Sequence, residues 1–259
     1  MKKILIGALL LTGCALPVMA CTGISATAKD GGYVQARTIE WGDSYLPSQY
    51  VVIPCGHEMI SYTPKGMNGA KFRARYGVVG LSIVLKDFVV EGLNETGLSA
   101  GLFYFPHYGN YPVYDAKQNT RTVADLQLVA WMLSQFSTIE EIKAAMQDIR
   151  VVSVDTTGAS STVHWRIGDA NGRQVVLEFV DGVPCFYENE IGVLTNSPGF
   201  PWQMTNLNNY VNLYPGGAEA HQLGGVTIFP FGAGSGFQGI PGDCLLYTSD
   251  AADDRISVD

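Results

Sequence analysis

The chain has 259 residues, of which 47% are hydrophobic and 15% charged, and its formal net charge is −8. This composition is typical of a globular protein with one sizeable core or at most two. Nucleic-acid binders need a basic surface that displaces counterions from phosphates, so the acidic balance argues against that class of function.

The first twenty residues predict a signal peptide, residues 1–20. Lys2 and Lys3 form a short positive region, Ile4–Leu11 is an apolar run, and Val18-Met19-Ala20 is a small-residue cleavage site. The run is too short to cross a bilayer, which needs about 20 apolar residues. No later segment is long, uncharged and apolar enough to span. We therefore expect export to the periplasm of a chain with no membrane span.

A second interpretation of the same region is lipid attachment. Leu11-Thr12-Gly13-Cys14 has the pattern of a bacterial lipobox, in which the cysteine is acylated. Anchoring at Cys14 would leave Cys21 inside the chain unless a second cut followed. A lipid-anchored binding protein without catalysis is therefore an alternative of another class.

The segment from Cys21 to Pro106 is β-rich, with turn residues between apolar runs. The predicted strands are Thr22–Ala28, Gly32–Trp41, Tyr50–Pro54, Arg73–Leu85, Val89–Leu93 and Gly97–Phe105. This order places Cys21 at the start of the first strand.

The middle of the chain is helical and is followed by more strands. Helical spacing predicts a helix over Arg121–Phe136, and Ser137-Thr138-Ile139-Glu140 is a capping box that opens a second helix to Ile149. The elements predicted after it are strands at Thr162–Gly168, Arg173–Val180, Val183–Tyr187 and Ile191–Thr195, and a helix at Phe200–Leu213. Strands, a helix pair and further strands indicate a layered α+β architecture.

No pattern in the chain predicts a metal or a cofactor. HExxH, the G-x-S-x-G elbow and the P-loop are missing from the sequence, and the Gly-rich residues 232–242 are typical of a turn rather than of the strand–turn–helix that a dinucleotide fingerprint needs. The four histidines stand alone, and we interpret each as structural or surface: His57, His107, His164 and His221. Cys55 and Cys185 could pair in an oxidising compartment, but the favoured prediction is two buried free thiols.

Cleavage after residue 20 would turn Cys21 into an N-terminal residue with catalytic potential. Its thiol and its α-amino group would then lie on adjacent carbons. A free α-amino group has a pKa of about 7.7–8.0, so it is partly neutral near pH 7 and can act as a base. One residue could thus supply both nucleophile and base, as N-terminal threonine enzymes do. On position alone, a lipid-attachment cysteine is the stronger interpretation.

Six short blocks, in the same order along the chain, resemble the choloylglycine hydrolase family of bile salt hydrolases and penicillin V acylases. The blocks are Cys21-Thr22-Gly23, residues 36–41 (ARTIEW), 92–98 (GLNETGL), 194–198 (LTNSP), 205–210 (TNLNNY) and 239–243 (GIPGD). Each block alone is weak, but six in order are a strong indication. The resemblance implies the αββα sandwich of N-terminal nucleophile hydrolases, incomplete at the C-terminus.

The resemblance implies roles for three residues around the new N-terminus. Cys21 matches the nucleophile that attacks a linear amide carbonyl. Arg37 matches an arginine beside it, and a nearby cation favours the thiolate. Glu40 stands where the family commonly has aspartate, which contacts the α-amino group. Glutamate is one methylene longer, so the same contact needs a small shift.

The resemblance also implies an oxyanion hole with two donors. Asn196 matches the asparagine whose side-chain amide is one donor, and such fixed donors stabilise the developing oxyanion. The other is a main-chain N–H, which aligns best at Tyr104. Because this segment carries one extra residue, Phe103 is the rival position.

The tail departs from the family pattern. An arginine in a Ser-Arg-Phe context is expected shortly after Asp243, but by ungapped count its place falls on Ser249, and Arg255 comes too late. We therefore expect a partial domain at 21–243 and a foreign or frame-shifted tail at 244–259. The chain as it stands would then be inactive.

As an enzyme, the chain is expected to be a cysteine amidase that needs no cofactor. The favoured substrate is a glycine- or taurine-conjugated bile salt. The alternative is penicillin V or another N-acyl amide, because tyrosine at position 104 resembles the penicillin acylase side. The resemblance also implies a homo-oligomer, a tetramer.

Overall fold

The computed structural model describes residues 21–40, 46–154, 162–207, 221–223 and 226–228. The predicted signal peptide, Cys14 and the tail at 244–259 lie outside these ranges, so the predictions about them stay predictions. The chain divides into two units, residues 1–200 and 201–259. The described part of the second unit includes one antiparallel pair, β15 (His221–Leu223) with β16 (Val226–Ile228).

The first unit is built mainly from short strands, with two helices in the middle of the chain. Its strands are β1 (Thr22–Thr27), β2 (Tyr33–Arg37), β3 (Ser48–Ile53), β4 (Glu58–Ile60), β5 (Lys71–Arg73), β6 (Val78–Ile83), β7 (Val89–Asn94), β8 (Ser99–Tyr104), β9 (Thr122–Ala124), β10 (Arg150–Val152), β11 (Val163–Gly168), β12 (Gln174–Val180), β13 (Val183–Glu188) and β14 (Leu194–Thr195). The α-helices within the described residues are α1 (Leu128–Gln135), α2 (Ile139–Ala145) and α3 (Phe200–Leu207).

Two antiparallel sheets carry the architecture. The smaller has the order β14-β1-β2, so β1 is its central strand. The larger has seven strands in the order β13-β12-β11-β8-β7-β6-β3. Side chains alternate between the two faces of each strand. Both faces of the central strands of the large sheet are covered, so the side chains on both faces are buried. The six residues of β11 are accordingly all buried.

One face of the large sheet is covered by α1. Its residues from Leu128 to Ser134 are all buried, and the helix contacts β7 and β8. Asn94 fixes this contact, because its Nδ2 donates to the carbonyls of Leu133 (2.9 Å) and Phe136 (2.8 Å) at the end of the helix. The other face meets β1, where Gly23 lies against Phe103 of β8. The layers therefore run small sheet, large sheet, helix, which confirms the layered α+β prediction.

The structure corrects the predicted helix over Arg121–Phe136. Thr122–Ala124 instead forms β9, which pairs in parallel with β10, and α1 begins only at Leu128 after a 3₁₀ turn. Val123 is fully buried in this pairing, so tertiary contacts override the local helical spacing. The predicted second helix ends at Ala145 rather than Ile149.

Two local boundaries also differ from the prediction. The capping box uses Thr138 and Glu141 rather than Ser137 and Glu140. The predicted strand Arg73–Leu85 is two strands, because the backbone N–H groups between β5 and β6 turn toward α1. Both Arg75 N (2.8 Å) and Tyr76 N (3.1 Å) donate to the Ser134 carbonyl.

Besides Cys21, the described residues contain two cysteines, Cys55 and Cys185, which are free, as predicted, but are not buried. Cys55 is exposed in the turn after β3, and Cys185 is half-buried on β13. β13 is the last strand of the large sheet, so its side chains are only partly covered. Within the described ranges, no helix is long and apolar enough to cross a membrane.

Asp125 is a buried carboxyl at the start of the 3₁₀ turn before α1. It is 2% exposed and its Oδ1 accepts from Leu126 N at 2.9 Å. Burial raises the pKa of Asp125 to about 7, and hydrogen bonds from Leu126, Val154 and Ser153 lower it only in part. The folded protein therefore holds this proton at a pH where the unfolded chain has lost it.

Stability should consequently fall as pH rises from about 4 to about 7, by about 4 kcal/mol from this group. Asp125→Asn stays neutral throughout, so the free energy of unfolding of the wild type, relative to this variant, should decrease over that range. Urea unfolding at pH 4.5 and 7.5 measures the difference, with the exposed Asp148→Asn as control. A wild type and variant that differ equally at both pH values would contradict the assignment.

Candidate active site

Cys21 lies immediately before β1, the central strand of the small sheet, and is 4% exposed. The register of the sheet determines its neighbours. Thr22 pairs with Thr195 on one side, and Gly23 pairs with Arg37 on the other. At the start of β1, residues 194–196 therefore lie on one side of the thiol and the end of β2 lies on the other.

On the β14 side, the backbone is tied directly to Cys21. The Oγ1 of Thr195 donates to the Cys21 carbonyl at 2.9 Å. Asn196 follows and is half-buried, one step further along the register toward the thiol. Ser197 Oγ donates to the Pro106 carbonyl at 2.8 Å, which fixes the chain directly after the asparagine.

A buried histidine and glutamate support this strand from the large sheet. His164 Nε2 lies 2.9 Å from the Thr195 carbonyl, and its Nδ1 lies 3.0 Å from Glu178 Oε1. The same Glu178 oxygen accepts from Phe200 N at 2.7 Å. His164 also stacks on Phe105, with ring centroids 4.4 Å apart and planes within 6°. Because a carbonyl can only accept, the Nε2 atom carries a hydrogen and donates it to Thr195.

On the β2 side, Arg37 crosses from the small sheet into the large one. Its Nη1 donates to the carbonyls of Val90 (3.2 Å) and Leu102 (2.5 Å). Pairing between β7 and β8 stops at Glu91 opposite Gly101, one residue short of these two carbonyls. The guanidinium thus takes the place of the next ladder bond, and it lies 4.2 Å from the centre of the Phe103 ring.

A second arginine and a glutamate share this space between the sheets. Glu91 lies 3.5 Å from Arg37 through Oε2 and 3.1 Å from Arg166 through Oε1. The Arg166 side chain is fully buried, and its Nη1 donates to the Ile24 carbonyl on β1 at 3.1 Å. The three charges join β2, β7, β11 and β1 in one cluster.

The pKa shifts in the cluster follow from its burial. Burial lowers the pKa of Arg37, and the negative charges of Glu91 and then Cys21 counteract it. Burial raises the pKa of Glu91, and Arg166 and then Arg37 counteract that. Cys21 lies two residues before Gly23, the partner of Arg37, so the two side chains share one face of the small sheet. The thiol and the guanidinium are therefore electrostatically coupled.

Two glycines make room for these side chains. A Cβ on Gly23 would lie 2.6 Å from the Phe103 ring and 2.8 Å from Arg166 Nη1. A Cβ on Gly101 would overlap the Glu91 carboxylate. The cluster can therefore form only because both strands lack a side chain at these points.

The other predicted residues lie near this end of the sheets. Glu40 comes three residues after β2, toward the Cys21 end of β1, and is exposed. Tyr104 is the last residue of β8, half-buried and opposite Val163, whereas Phe103 is fully buried. The structure thus brings Cys21, Arg37 and Asn196 together. The contact of Glu40 with an α-amino group and the choice of oxyanion donor stay predictions.

The comparisons with known proteins give the fold and the site a family. A family model described as linear amide C–N hydrolases, choloylglycine hydrolase family, matches residues 21–249. The chain belongs to the choloylglycine hydrolase family. A bile salt hydrolase/transferase of Clostridium perfringens is 31% identical over 227 residues, covering 86% of this chain and 67% of its own length.

Two solved structures show the same fold. The crystal structure of a mutant conjugated bile acid hydrolase from Clostridium perfringens matches with a TM-score of 0.64 and 27% identity, over 92% of this chain and 74% of that one. A penicillin V acylase from Agrobacterium tumefaciens matches with a TM-score of 0.61 and 26% identity, over 71% and 55%. The predicted N-terminal nucleophile hydrolase fold is confirmed. The chain is a linear amide C–N hydrolase by family.

Four residues of this choloylglycine hydrolase site were missed or undervalued from the sequence: Glu91, Arg166, His164 and Glu178. The signal for two of them was available, since Val163–Gly168 is a fully buried strand that nevertheless contains a histidine and an arginine. Charged residues are almost never fully buried unless they are paired. Within the described residues, no group of three or more side chains is arranged to hold a metal ion.

The buried pair of His164 and Glu178 should show strong coupling in stability. Removing one partner leaves the other buried without it, which costs about 3–5 kcal/mol. We expect His164→Leu and Glu178→Leu each to lose about that much free energy of unfolding, and the double variant to lose clearly less than their sum. Denaturant unfolding of all four proteins measures this, and simple additivity would contradict the pairing.

Proposed function

We propose that the domain that begins at Cys21 hydrolyses the amide bond of a glycine- or taurine-conjugated bile salt, with Cys21 as the nucleophile, once the arginine expected shortly after Asp243 is in place. The observation that supports this most is the position of Cys21. Its thiol is buried at the head of the central strand, with Arg37 on one side and Asn196 on the other. Nucleophile, cation and amide donor are the three parts that acyl transfer to a thiol requires.

The proposed reaction has two steps. The Cys21 thiolate attacks the carbonyl carbon of the substrate amide, and the negative charge moves to the carbonyl oxygen, where the Asn196 side-chain amide donates to it. The C–N bond then breaks, and glycine or taurine leaves after receiving the proton that the thiol gave up. Water attacks the thioester, frees the bile acid and restores the thiol. The α-amino group of Cys21 acts as the base in both steps, oriented by Glu40.

The bile salt is favoured over penicillin V by the extent of the match. The bile acid hydrolase structure covers 92% of this chain, whereas the penicillin V acylase structure covers 71%. Tyr104 favours penicillin V instead, because a tyrosine at this position resembles the penicillin V acylases more than the bile salt hydrolases. We therefore keep penicillin V hydrolysis as the second candidate function.

Substituting the nucleophile tests the proposal directly. Cys21→Ser should reduce the release of glycine from glycocholate and taurine from taurocholate by at least about 10³-fold, because the hydroxyl is a far weaker nucleophile. Cys55→Ser, which removes an exposed thiol, should leave the rate unchanged. Penicillin V assayed in parallel separates the two substrates. Retained hydrolysis in the Cys21 variant would remove this residue from the reaction.

The proposed mechanism requires a free N-terminus at Cys21. We also propose that the protein is periplasmic and assembles as a homotetramer. Expression in a bacterium followed by intact-mass measurement should give an unmodified chain beginning at Cys21, and Cys14→Ser should not change that mass. Light scattering after size-exclusion chromatography should give four times the subunit mass. An acylated chain beginning at Cys14 would favour the lipid-anchored alternative and end the role of the α-amino group.

A further inference from the structure

We propose that Glu91 and Arg166 are positioning residues that hold Arg37 against Cys21 and set the charge around the thiol to one net positive unit. The proposal rests on the proposed role of Cys21 as nucleophile. It extends the site from residues beside the thiol to a buried cluster that spans both sheets.

The geometry of Glu91 supports the first part. Glu91 lies between the two guanidinium groups, 3.5 Å from Arg37 Nη1 and 3.1 Å from Arg166 Nη2. Within the described part of the large sheet, Arg37 makes polar contacts with the carbonyls of Val90 and Leu102 and with this carboxylate, and its guanidinium also lies over the Phe103 ring. Removing the carboxylate would free one side of the guanidinium.

Arg166 closes the cluster from the opposite direction. It rises from β11 to the backbone of β1, where its Nη1 donates to the Ile24 carbonyl at 3.1 Å. Its guanidinium also lies 5.7 Å from the centre of the Phe103 ring, the same ring that Arg37 covers at 4.2 Å. Phe103 is fully buried, so both guanidinium groups make cation–π contacts with the same immobile ring.

The charges of the cluster do not cancel. Two guanidinium groups and one carboxylate leave one positive charge in a space where the side chains of Arg37 and Arg166 are 7% and 0% exposed. An uncompensated charge is costly in such surroundings. A thiolate at Cys21 would supply the missing negative charge, because Cys21 lies two residues before Gly23, the partner of Arg37, and therefore on the same face of the small sheet as Arg37.

Among the residues that the structure describes, the other titratable groups near the thiol are placed differently from Glu91 and Arg166. The pair of His164 and Glu178 approaches through the Thr195 carbonyl, on the β14 side. Glu40 is exposed beyond the end of β2, and the α-amino group of a processed chain would lie on Cys21 itself. Glu91 and Arg166 are thus the charges that act through Arg37.

The test is the pH dependence of Cys21 alkylation by iodoacetamide, followed by mass spectrometry of the peptide that carries it. Glu91→Gln makes the cluster more positive and should lower the midpoint by about one pH unit. Arg166→Met makes it neutral and should raise the midpoint by about one unit. Cys55 and Cys185 in the same samples report any general change in reactivity, and the surface variant Glu188→Gln should move nothing.

Arg166→Lys provides a second variant in case Arg166→Met does not fold, as judged by circular dichroism. Lysine keeps the charge but cannot donate to the Ile24 carbonyl and to Glu91 from two separate nitrogens as Arg166 does, so the midpoint should stay within about 0.3 units of the wild type while turnover falls. Midpoints of Glu91→Gln and Arg166→Met that shift in opposite directions support the proposal. Midpoints that stay fixed or shift in the same direction overturn it.

The alkylation assay does not depend on the substrate. If the midpoints shift in opposite directions but conjugated bile salts are not hydrolysed, the charge proposal stands and the substrate assignment is wrong. If bile salts are hydrolysed through Cys21 but the midpoints do not move, the charge proposal is wrong and the proposed function stands.

Discussion

The rest of the site depends on the contacts of the Arg37 guanidinium. This group joins the two sheets next to β1, the strand that follows Cys21. It takes up the carbonyls of Val90 and Leu102, where β7 and β8 separate. Two sheets usually meet through interdigitated apolar side chains. Around Arg37 they meet through charge and one aromatic ring, and Gly23 must lack a side chain to allow it.

The thiol is consequently held between two polar networks rather than in a simple apolar pocket. Arg37 and Glu91 lie on one side, and Thr195 with His164 and Glu178 on the other. Satisfied buried networks are rigid, since each group that moves leaves a partner without its bond. Rigidity of this kind suits a reaction in which the oxyanion donor must be in place before charge develops.

The sequence predicted the order of strands and the residues that family resemblance could assign. Cys21, Arg37 and Asn196 come together because the register of a three-stranded sheet aligns the ends of its strands. The cluster of Glu91 and Arg166 was not predictable in the same way. It depends on which faces of two sheets meet, and no local pattern contains that information. The strand at Thr122–Ala124 was missed for a similar reason, since its partner lies at residues 150–152.

Stability alone does not account for a buried arginine on β11. Replacing a buried ion cluster by well-packed hydrophobic residues is often neutral or stabilising, by about 1–4 kcal/mol. Arg166 lies against the ring of Phe103, which an apolar side chain could also cover. A charge retained at that position is better explained by what it faces. Arg166 pairs with Glu91, and Glu91 pairs with Arg37. Arg37 is in turn coupled to the thiol of Cys21.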